Sequence, residues 1–186
     1  IAIDAMGGEN APNKVIDGIS KFIENNKSDD YKLLLYGDAS RIDKLLTDKK
    51  IKKHNIEILN TQSIVSDDET PLTAIKNSKN SSMWKSIEAQ TLNNADISLS
   101  AGNTGVLLVI SRMILKTMDE INKPALAALW PNQKGMNIVL DLGANIECDE
   151  NNLIDFAEMG SALYKSLYPN DNAKVALLNI GSEEIK

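Results

Sequence analysis

The stretch YKLLLYG, residues 31–37, places apolar side chains at consecutive positions, where a half-exposed strand would alternate them with polar ones. Strands of parallel sheets show this pattern because helices cover both faces of the sheet. Similar short apolar runs alternate with longer helical patterns along the chain. The sequence therefore predicts the α/β class with a largely parallel sheet.

The predicted strands are the apolar runs, and the predicted helices are the periodic segments between them. We expect the run NIEIL to lie nearer an edge of the sheet. The predicted strands are IAID (1–4), YKLLLYG (31–37), NIEIL (55–59), ADISLS (95–100), PALAALW (124–130), NIVLDLG (137–143) and KVALLNIG (174–181). The predicted helices are 12–23, 40–46, two segments that follow Pro71 and divide near Asn80, the segment after ADISLS, and 152–167.

Length and charge limit the classes of protein that this chain can belong to. A chain of 186 residues can bury one sizeable core, and we expect a single α/β domain region over 1–186. The net charge of -6 gives no general attraction to a phosphate backbone, so we expect no nucleic-acid partner. A single cysteine, Cys148, cannot form an internal disulfide, which favours a cytoplasmic location.

Four predicted strands end in loops that combine glycine with Asp, Asn, Ser or Thr. The loops are AMGGEN, SAGNTG, LGANIECD and IGSEEIK. Ligands of parallel α/β sheets bind at the carboxyl ends of strands, where such loops lead into helices. We therefore expect the functional residues to lie in these four loops.

The loop SAGNTG, residues 100–105, carries the strongest indication of an anion site. Gly102 permits a tight turn or a close approach to a ligand, while Asn103 or Thr104 can cap the helix that follows. Backbone amides at a helix start, together with the helix dipole, favour a negatively charged ligand. The alternative is that SAGNTG is an ordinary cap before a buried helix, and the local sequence leaves both interpretations open.

Two carboxylates stand at the ends of apolar strands, Asp4 in IAID and Asp141 in NIVLD. Buried carboxylates need hydrogen-bond donors or a cation, so each should meet backbone amides, a hydroxyl or a cation. The sequence leaves open whether they hold loops or take part in chemistry. The glycine pair Gly7 and Gly8 after Asp4 has the further alternative of being only a turn.

Other reactive side chains give weaker indications. The one histidine, His54, lies among lysines, which is typical of a solvated position. Glu147 and Asp149 flank Cys148, and the chain has no second histidine that could activate a thiol, so we do not expect a nucleophilic Cys148. No metal-ligand spacing, GxGxxG or GxxxxGK[ST] occurs, and we expect neither a metal nor a cofactor.

Six segments in order resemble the bacterial phosphate acyltransferases of phospholipid synthesis, the PlsX family. They are DAMGGE, PLTAIKNSKNSSM, SLSAGNTG, VLDLGAN, FAEMGS and LLNIGSEEIK. Each segment is a weak indication alone, but their order and spacing are specific. Two positions depart from the usual family pattern, since Glu9 stands where Asp is usual and Lys76 where Arg is common.

The resemblance implies a fold, a reaction and partners. The fold would be a three-layer α/β/α arrangement like that of isocitrate and isopropylmalate dehydrogenases and phosphotransacetylases. The reaction would make acyl phosphate from acyl-(acyl carrier protein) and inorganic phosphate. The resemblance also implies a homodimer, a functional link to a membrane glycerol-3-phosphate acyltransferase, and peripheral contact with the inner face of the membrane. About the last two fifths of the family length would be absent from this chain.

The resemblance also implies a phosphate site without a protein nucleophile. Phosphate would lie against SAGNTG, with Asn103 and Thr104 donating and with Lys76, Lys79 or Lys186 supplying positive charge. Asp4 and Asp141 would hold loops and could accept the phosphate proton if burial raised one pKa. The expected catalytic residues are Asn103, Thr104, Asp141 and Lys186, and the expected binding residues are Asp4, Gly7, Gly8, Lys76, Lys79, Ser100, Gly102, Gly105, Gly143 and Asn145.

Three alternatives stay open. Lys76 and Lys79 stand three residues apart and could simply be solvated on one helical face. A transacylase that uses acyl-CoA would need the same chemistry with a different thiol carrier. A non-catalytic anion-binding domain would need only the phosphate site.

Overall fold

The computed structural model describes residues 1–66 and 68–178. Its elements, in chain order, are β1 (Ala2–Asp4), α1 (Asn13–Asn25), β2 (Leu33–Gly37), α2 (Ala39–Asp48), β3 (Ile56–Asn60), α3 (Pro71–Asn77), α4 (Ser82–Thr91), β4 (Ser98–Leu99), α5 (Thr104–Leu115), β5 (Ala128–Asn132), β6 (Gly135–Val139) and α6 (Glu150–Leu167). Two compact units result, Ile1–Lys116 and the part from Thr117 onward. The expectation of a single domain stays a prediction.

The first unit contains a four-stranded sheet in the order β3-β2-β1-β4. All three strand pairs in it are parallel. β3 lies at an edge, which confirms the expectation for NIEIL. The α/β class and the largely parallel sheet are therefore confirmed.

Successive residues of β1 and β2 pack against helices on opposite faces of this sheet. On one face, Ile3 and Leu35 lie in a core cluster with Ile16 of α1 and Ile42 of α2. On the other face, Ala2, Leu34 and Tyr36 pack against Ala89 of α4. This two-sided burial explains the consecutive apolar residues of YKLLLYG and produces the three-layer α/β/α arrangement.

Local capping residues explain where most helices begin. The N-cap side chains Asp38, Thr70, Ser81, Asn103 and Asp149 each accept a hydrogen bond from a backbone amide in the first turn of α2 to α6. Pro71 follows Thr70 as the first residue of α3, where a missing N–H costs nothing. A third core cluster joins α3, α4 and α5 through Ala74, Met83 and Val106, among others.

The second unit differs from the prediction in two places. PALAALW and NIVLDLG contribute β5 and β6, which pair with each other in antiparallel register. β6 therefore does not belong to the four-stranded parallel sheet. The described part of KVALLNIG, residues 174–178, is not a strand, because no described segment provides the ladder of hydrogen bonds that a strand needs.

Candidate functional site

The carboxyl ends of β1 and β4 form the topological switch point of the parallel sheet. From β1 the chain proceeds to β2 and β3 on one side, and β4 then pairs with the other side of β1. In open α/β sheets, ligands bind in the crevice at such a reversal of strand order. The loops that follow β1 and β4 are DAMGGEN and SAGNTG, so the two loops with the strongest sequence indications lie side by side.

The carboxylate of Asp4 connects these two loops. It is only 2% exposed, and its Oδ2 accepts a hydrogen bond of 2.7 Å from the Ser100 hydroxyl. Its Oδ1 accepts from the backbone N–H of Met6 at 3.2 Å. The Ser100 hydroxyl oxygen in turn accepts from the Gly102 N–H at 3.1 Å. Asp4 thus meets the hydrogen-bond donors that a buried carboxylate requires.

Glycines allow the two backbones to approach closely. A Cβ at Gly7 would overlap Asp4 Oδ2 and lie 2.9 Å from Ser100 Oγ. Gly8 has a φ of +91°, and its Cβ would lie 2.6 Å from the carbonyl oxygen of Ala101. A side chain at either position would push the loops apart, so Gly7 and Gly8 do more than form a turn.

Gly102, in the second loop, lies where the two loops approach each other. Its Cβ would lie 2.8 Å from Met83 Cε and 3.4 Å from Gly7 Cα. The nearest neighbours of this glycine are therefore the second residue of α4 and the first loop. A methyl group there would first displace the flexible end of Met83.

Asn103 is the N-cap of α5, so the prediction that SAGNTG caps this helix is confirmed. Its Oδ1 accepts from the Val106 N–H at 3.1 Å, and its carbonyl oxygen accepts from the Leu107 N–H at 2.9 Å. Its Nδ2 donates to the Glu69 carbonyl oxygen at 3.1 Å. Asn103 therefore also attaches the segment before α3 to the start of α5.

The first residues of α5, Thr104 and Gly105, are exposed at the mouth of this crevice. Backbone N–H groups in the first turn of a helix have no carbonyl of a preceding turn to bind. A Cβ at Gly105 would lie 3.6 Å from Pro71 Cγ, so α3 begins close to the start of α5. The N–H groups of Thr104 and Gly105 are thus available at the place where the sequence predicts an anion.

Lys76 and Lys79 form no part of this hydrogen-bonded network among the described residues. Lys76 is in the last turn of α3 and Lys79 is in the loop between α3 and α4, and both are exposed. Among the described residues, neither lysine forms an ion pair or a hydrogen bond with the two loops. Five residues of helix, about 7.5 Å, separate Lys76 from the α3 start, so its role in the site stays a prediction.

The loop that contains Asp141, Gly143 and Asn145 belongs to the second unit. Asp141 accepts from the N–H groups of Leu126 at 2.8 Å and Asn145 at 2.7 Å, and from Asn145 Nδ2 at 3.2 Å. Asn145 Nδ2 also donates to the Pro124 carbonyl oxygen at 2.8 Å. Gly143 has a φ of +84°, which only a residue without Cβ adopts readily. These contacts fold the loop back on the segment before β5.

The pKa of the Asp141 carboxyl is shifted in the direction opposite to the one that a general base would need. Burial alone would raise the pKa of the Asp141 carboxyl, but hydrogen bonds from Leu126, Asn145 and Ala144 outweigh it and lower the pKa. The condition under which Asp141 could accept a phosphate proton, a pKa raised by burial, is therefore not met. The carboxylate is arranged to hold its loop.

The remaining expectations have different outcomes. Lys186 lies outside the described residues, together with the rest of IGSEEIK. Cys148 is exposed. Among the described residues, no group of three His, Cys, Asp or Glu side chains could hold a metal ion. No helix in the described part of the chain has the length and hydropathy needed to cross a membrane.

Sequence reasoning missed two residues beside the site. The Glu69 carbonyl oxygen accepts the Asn103 amide, and Tyr36 of β2 pairs in register with Asp4 of β1. A backbone carbonyl acceptor cannot be identified from the sequence, because every residue has one. Tyr36 could have been identified, because it is the only residue with a hydroxyl in the apolar run LLLY.

Comparison with known proteins shows which family the chain belongs to. The family model described as "Fatty acid synthesis protein" matches residues 1–186. The chain belongs to this family. Curated relatives named "Phosphate acyltransferase" include those of Pelagibacter ubique, 53% identical over 186 residues, and Agrobacterium fabrum, 42% identical over 187 residues. The protein of that name from Rhodospirillum rubrum is 40% identical over 186 residues.

The matches cover the whole of this chain but only part of each relative. They include 55%, 52% and 53% of the Pelagibacter, Agrobacterium and Rhodospirillum proteins. The chain thus spans about half the length of the curated relatives that it matches. Membership of the family therefore extends over both units described above.

Proposed function

We propose that the protein transfers an acyl group from acyl-(acyl carrier protein) to inorganic phosphate and releases acyl phosphate. The observation that carries this proposal is the pair of loops at the switch point, joined by the hydrogen bonds of Asp4, Ser100 and Gly102. The name shared by the relatives, phosphate acyltransferase, supports the same reaction. The product would supply membrane phospholipid synthesis.

In the proposed reaction, a phosphate oxygen attacks the thioester carbonyl carbon directly. A tetrahedral intermediate forms, the carbon–sulfur bond breaks, and the thiolate leaves and takes up the proton that the phosphate loses. The products are acyl phosphate and the free thiol of the carrier. No protein nucleophile is required, in keeping with the weak indications for Cys148 and His54.

The task of the protein in this reaction is to position phosphate and to stabilise charge. Holding two reactants in line contributes about 7–11 kcal/mol, and one oxyanion donor contributes about 3–4 kcal/mol. We assign phosphate to the N–H groups of Thr104 and Gly105, with the Thr104 hydroxyl and the Asn103 amide as additional donors. Lys76, Lys79 or Lys186 would add positive charge.

Asp4 and Asp141 have positioning roles in this proposal. The hydrogen bond between Asp4 and Ser100 fixes the distance between DAMGG and SAGNTG. It thereby fixes the direction of the N–H groups at the start of α5. Asp141 with its lowered pKa is a weak base near neutral pH, and we assign it to loop geometry in the second unit. The phosphate dianion itself supplies the electron pair, so no protein base is needed for attack.

The proposal includes partners and a location. The acyl carrier protein would be the donor, and a membrane glycerol-3-phosphate acyltransferase would consume the acyl phosphate. We propose a cytoplasmic homodimer that acts at the inner face of the membrane. No nucleic acid takes part in this reaction.

Two other functions fit the same loops and are distinguished by the donor. A transacylase for acyl-CoA would show equal or better turnover with acyl-CoA than with acyl-(acyl carrier protein). A non-catalytic domain would bind phosphate and turn over neither thioester.

The test uses the full-length protein, each thioester in turn, and radiolabelled inorganic phosphate. The expected result is labelled acyl phosphate that requires the enzyme and forms faster with the carrier-protein thioester. If labelled product formed from acyl-CoA but not from acyl-(acyl carrier protein), the donor would be acyl-CoA and the proposed donor would be wrong. Absence of product from both thioesters, with phosphate binding retained, would refute the enzyme assignment.

A further inference from the structure

A second cleft opens on the α4 face of the sheet, at the carboxyl ends of β2 and β3. Its volume is about 290 Å³. Tyr36, Thr61, Gln62, Asn80 and Lys85 are among the residues that line it. Tyr36 pairs in register with Asp4, and neighbouring strands lie about 4.8 Å apart, so this cleft lies next to the proposed phosphate site.

One buried hydroxyl in this cleft, the Oγ1 atom of Thr61, lacks a hydrogen-bond partner among the residues that the structure describes. Tyr36, which is 8% exposed, lines the same cleft. Buried hydroxyls in native proteins almost always have partners, so the Thr61 hydroxyl indicates a group that binds a ligand.

The charged groups near the cleft are already paired. Lys85 Nζ lies 2.7 Å from Glu88 Oε2, and Lys32 Nζ lies 2.6 Å from Glu57 Oε2. Burial, followed by the nearby Glu57 and Glu88 carboxylates, raises the pKa of Tyr36, so its phenol stays neutral and can donate. The other polar groups of the cleft are amides and hydroxyls. This lining favours an uncharged ligand with carbonyl and amide groups over a free anion.

We propose that this cleft binds the amide-bearing pantetheine arm through which an acyl carrier presents its thioester. The inference rests on the proposed function, because that function requires a thioester beside the phosphate site. The arm is uncharged, linear and rich in carbonyl acceptors. The hydroxyls of Tyr36 and Thr61 would donate to those carbonyls, and the position of Tyr36 beside Asp4 would direct the sulfur end of the arm toward SAGNTG.

The experiment measures binding of pantetheine itself to the full-length protein by calorimetry, in wild type and in the variants Tyr36→Phe and Thr61→Val. Each variant removes one hydroxyl with little change of shape. The expected loss of pantetheine affinity is roughly three- to tenfold for each variant. Thr61→Val should melt at or above the wild-type temperature, because a buried hydroxyl without a partner is removed.

Two controls separate the cleft from the rest of the molecule. Tyr31→Phe makes the same chemical change at a tyrosine that packs against Phe22, outside the cleft, and should bind pantetheine as wild type does. Inorganic phosphate is the second probe, and its affinity should be the same in all three variants.

Each outcome decides the inference. Equal pantetheine affinity in wild type, Tyr36→Phe and Thr61→Val overturns it, as does a lower melting temperature with unchanged affinity, which would indicate hydroxyls bound only to water. A wild-type enzyme that is active with thioesters but does not bind pantetheine also overturns it, while the proposed function stands. Binding that the variants weaken, in a protein inactive with both thioesters, supports the cleft and refutes the proposed function.

Discussion

Removing the Ser100 hydroxyl tests whether the Asp4 connection organises the phosphate site. Ser100→Ala deletes the 2.7 Å donor to Asp4 Oδ2 and the acceptor of the Gly102 N–H. Asp4 is 2% exposed, so water cannot easily replace the lost donor. A hydrogen bond to a charged group contributes about 1.5–3 kcal/mol, and the Gly102 bond adds about 1 kcal/mol. We expect a loss of about 2.5–4 kcal/mol in the free energy of unfolding.

Ser98→Ala is the matched control for Ser100→Ala. Ser98 lies two residues earlier in the chain, and its hydroxyl donates to the Ser86 carbonyl oxygen at 2.7 Å and accepts from Gln90 Nε2 at 2.8 Å. These are bonds between neutral groups, each worth about 1 kcal/mol, so the loss should be about 1–2 kcal/mol. The control removes the same atom without touching the connection between the loops.

The assays are urea unfolding and the phosphate concentration that gives half-maximal rate, both on the full-length protein. Ser100→Ala should raise that phosphate concentration by about tenfold or more, because the N–H groups at the start of α5 lose their fixed position relative to DAMGG. Ser98→Ala should leave it unchanged. Equal destabilisation by the two variants, together with an unchanged phosphate requirement, would refute the assignment of Asp4 and Ser100 to the site.

Three further predictions concern single residues. Asn103→Ala should lower the free energy of unfolding by about 0.5–2 kcal/mol, because the helix cap is lost. Turnover per folded molecule should also fall by about a hundredfold, because Asn103 also donates to the reacting groups. Normal turnover in a variant that melts at a lower temperature would show that Asn103 is only a cap. Asp141 has a lowered pKa in the folded protein, so its stabilisation is present above the unfolded pKa of about 3.9 and is lost as the pH falls through the folded value. Urea midpoints measured below about pH 5 should therefore fall less steeply in Asp141→Asn than in wild type, and parallel pH profiles would contradict this. Gly8→Ala should destabilise the protein by about 1 kcal/mol or more, because the Gly8 φ is +91° and the Ala101 carbonyl is close. Gly18→Ala in α1, where the space around the glycine is open, should stabilise the protein by about 0.5–1 kcal/mol. Thermal melts in which Gly8→Ala is the more stable variant would contradict the close packing of the two loops.

Periodicity and caps were sufficient to predict the elements of the first unit. LLLY is a strand buried on both faces because α1 and α2 cover one face and α4 covers the other. The helix after SAGNTG begins at Thr104 because the Asn103 side chain binds the Val106 amide. These are interactions of residues with near neighbours or with an apolar environment, and both leave a pattern in the sequence.

The second unit was predicted less well because strand pairing is a relation between segments. PALAALW and NIVLDLG have the composition of strands, but nothing in either run selects a parallel or an antiparallel partner. The structure pairs them across the short turn between Asn132 and Gly135, so the strand before Asp141 does not end in the parallel sheet. Residues 175–178 are apolar too, yet they form no strand without a neighbouring one.

The sequence by itself determined the α/β class, the loops that carry polar residues and a cap at Asn103 or Thr104, since each depends on local spacing and burial. Only the tertiary structure decided that Asp4 and Ser100, 96 residues apart, share a hydrogen bond. That contact exists because β4 pairs with β1 on the side opposite β2, and strand order is set by how the helices pack over the whole sheet. Tertiary structure likewise decided that hydrogen bonds to Asp141 outweigh its burial and that the Thr61 hydroxyl lies without a partner in a cleft beside Tyr36, because protonation and hydrogen-bond satisfaction depend on atoms supplied by distant segments.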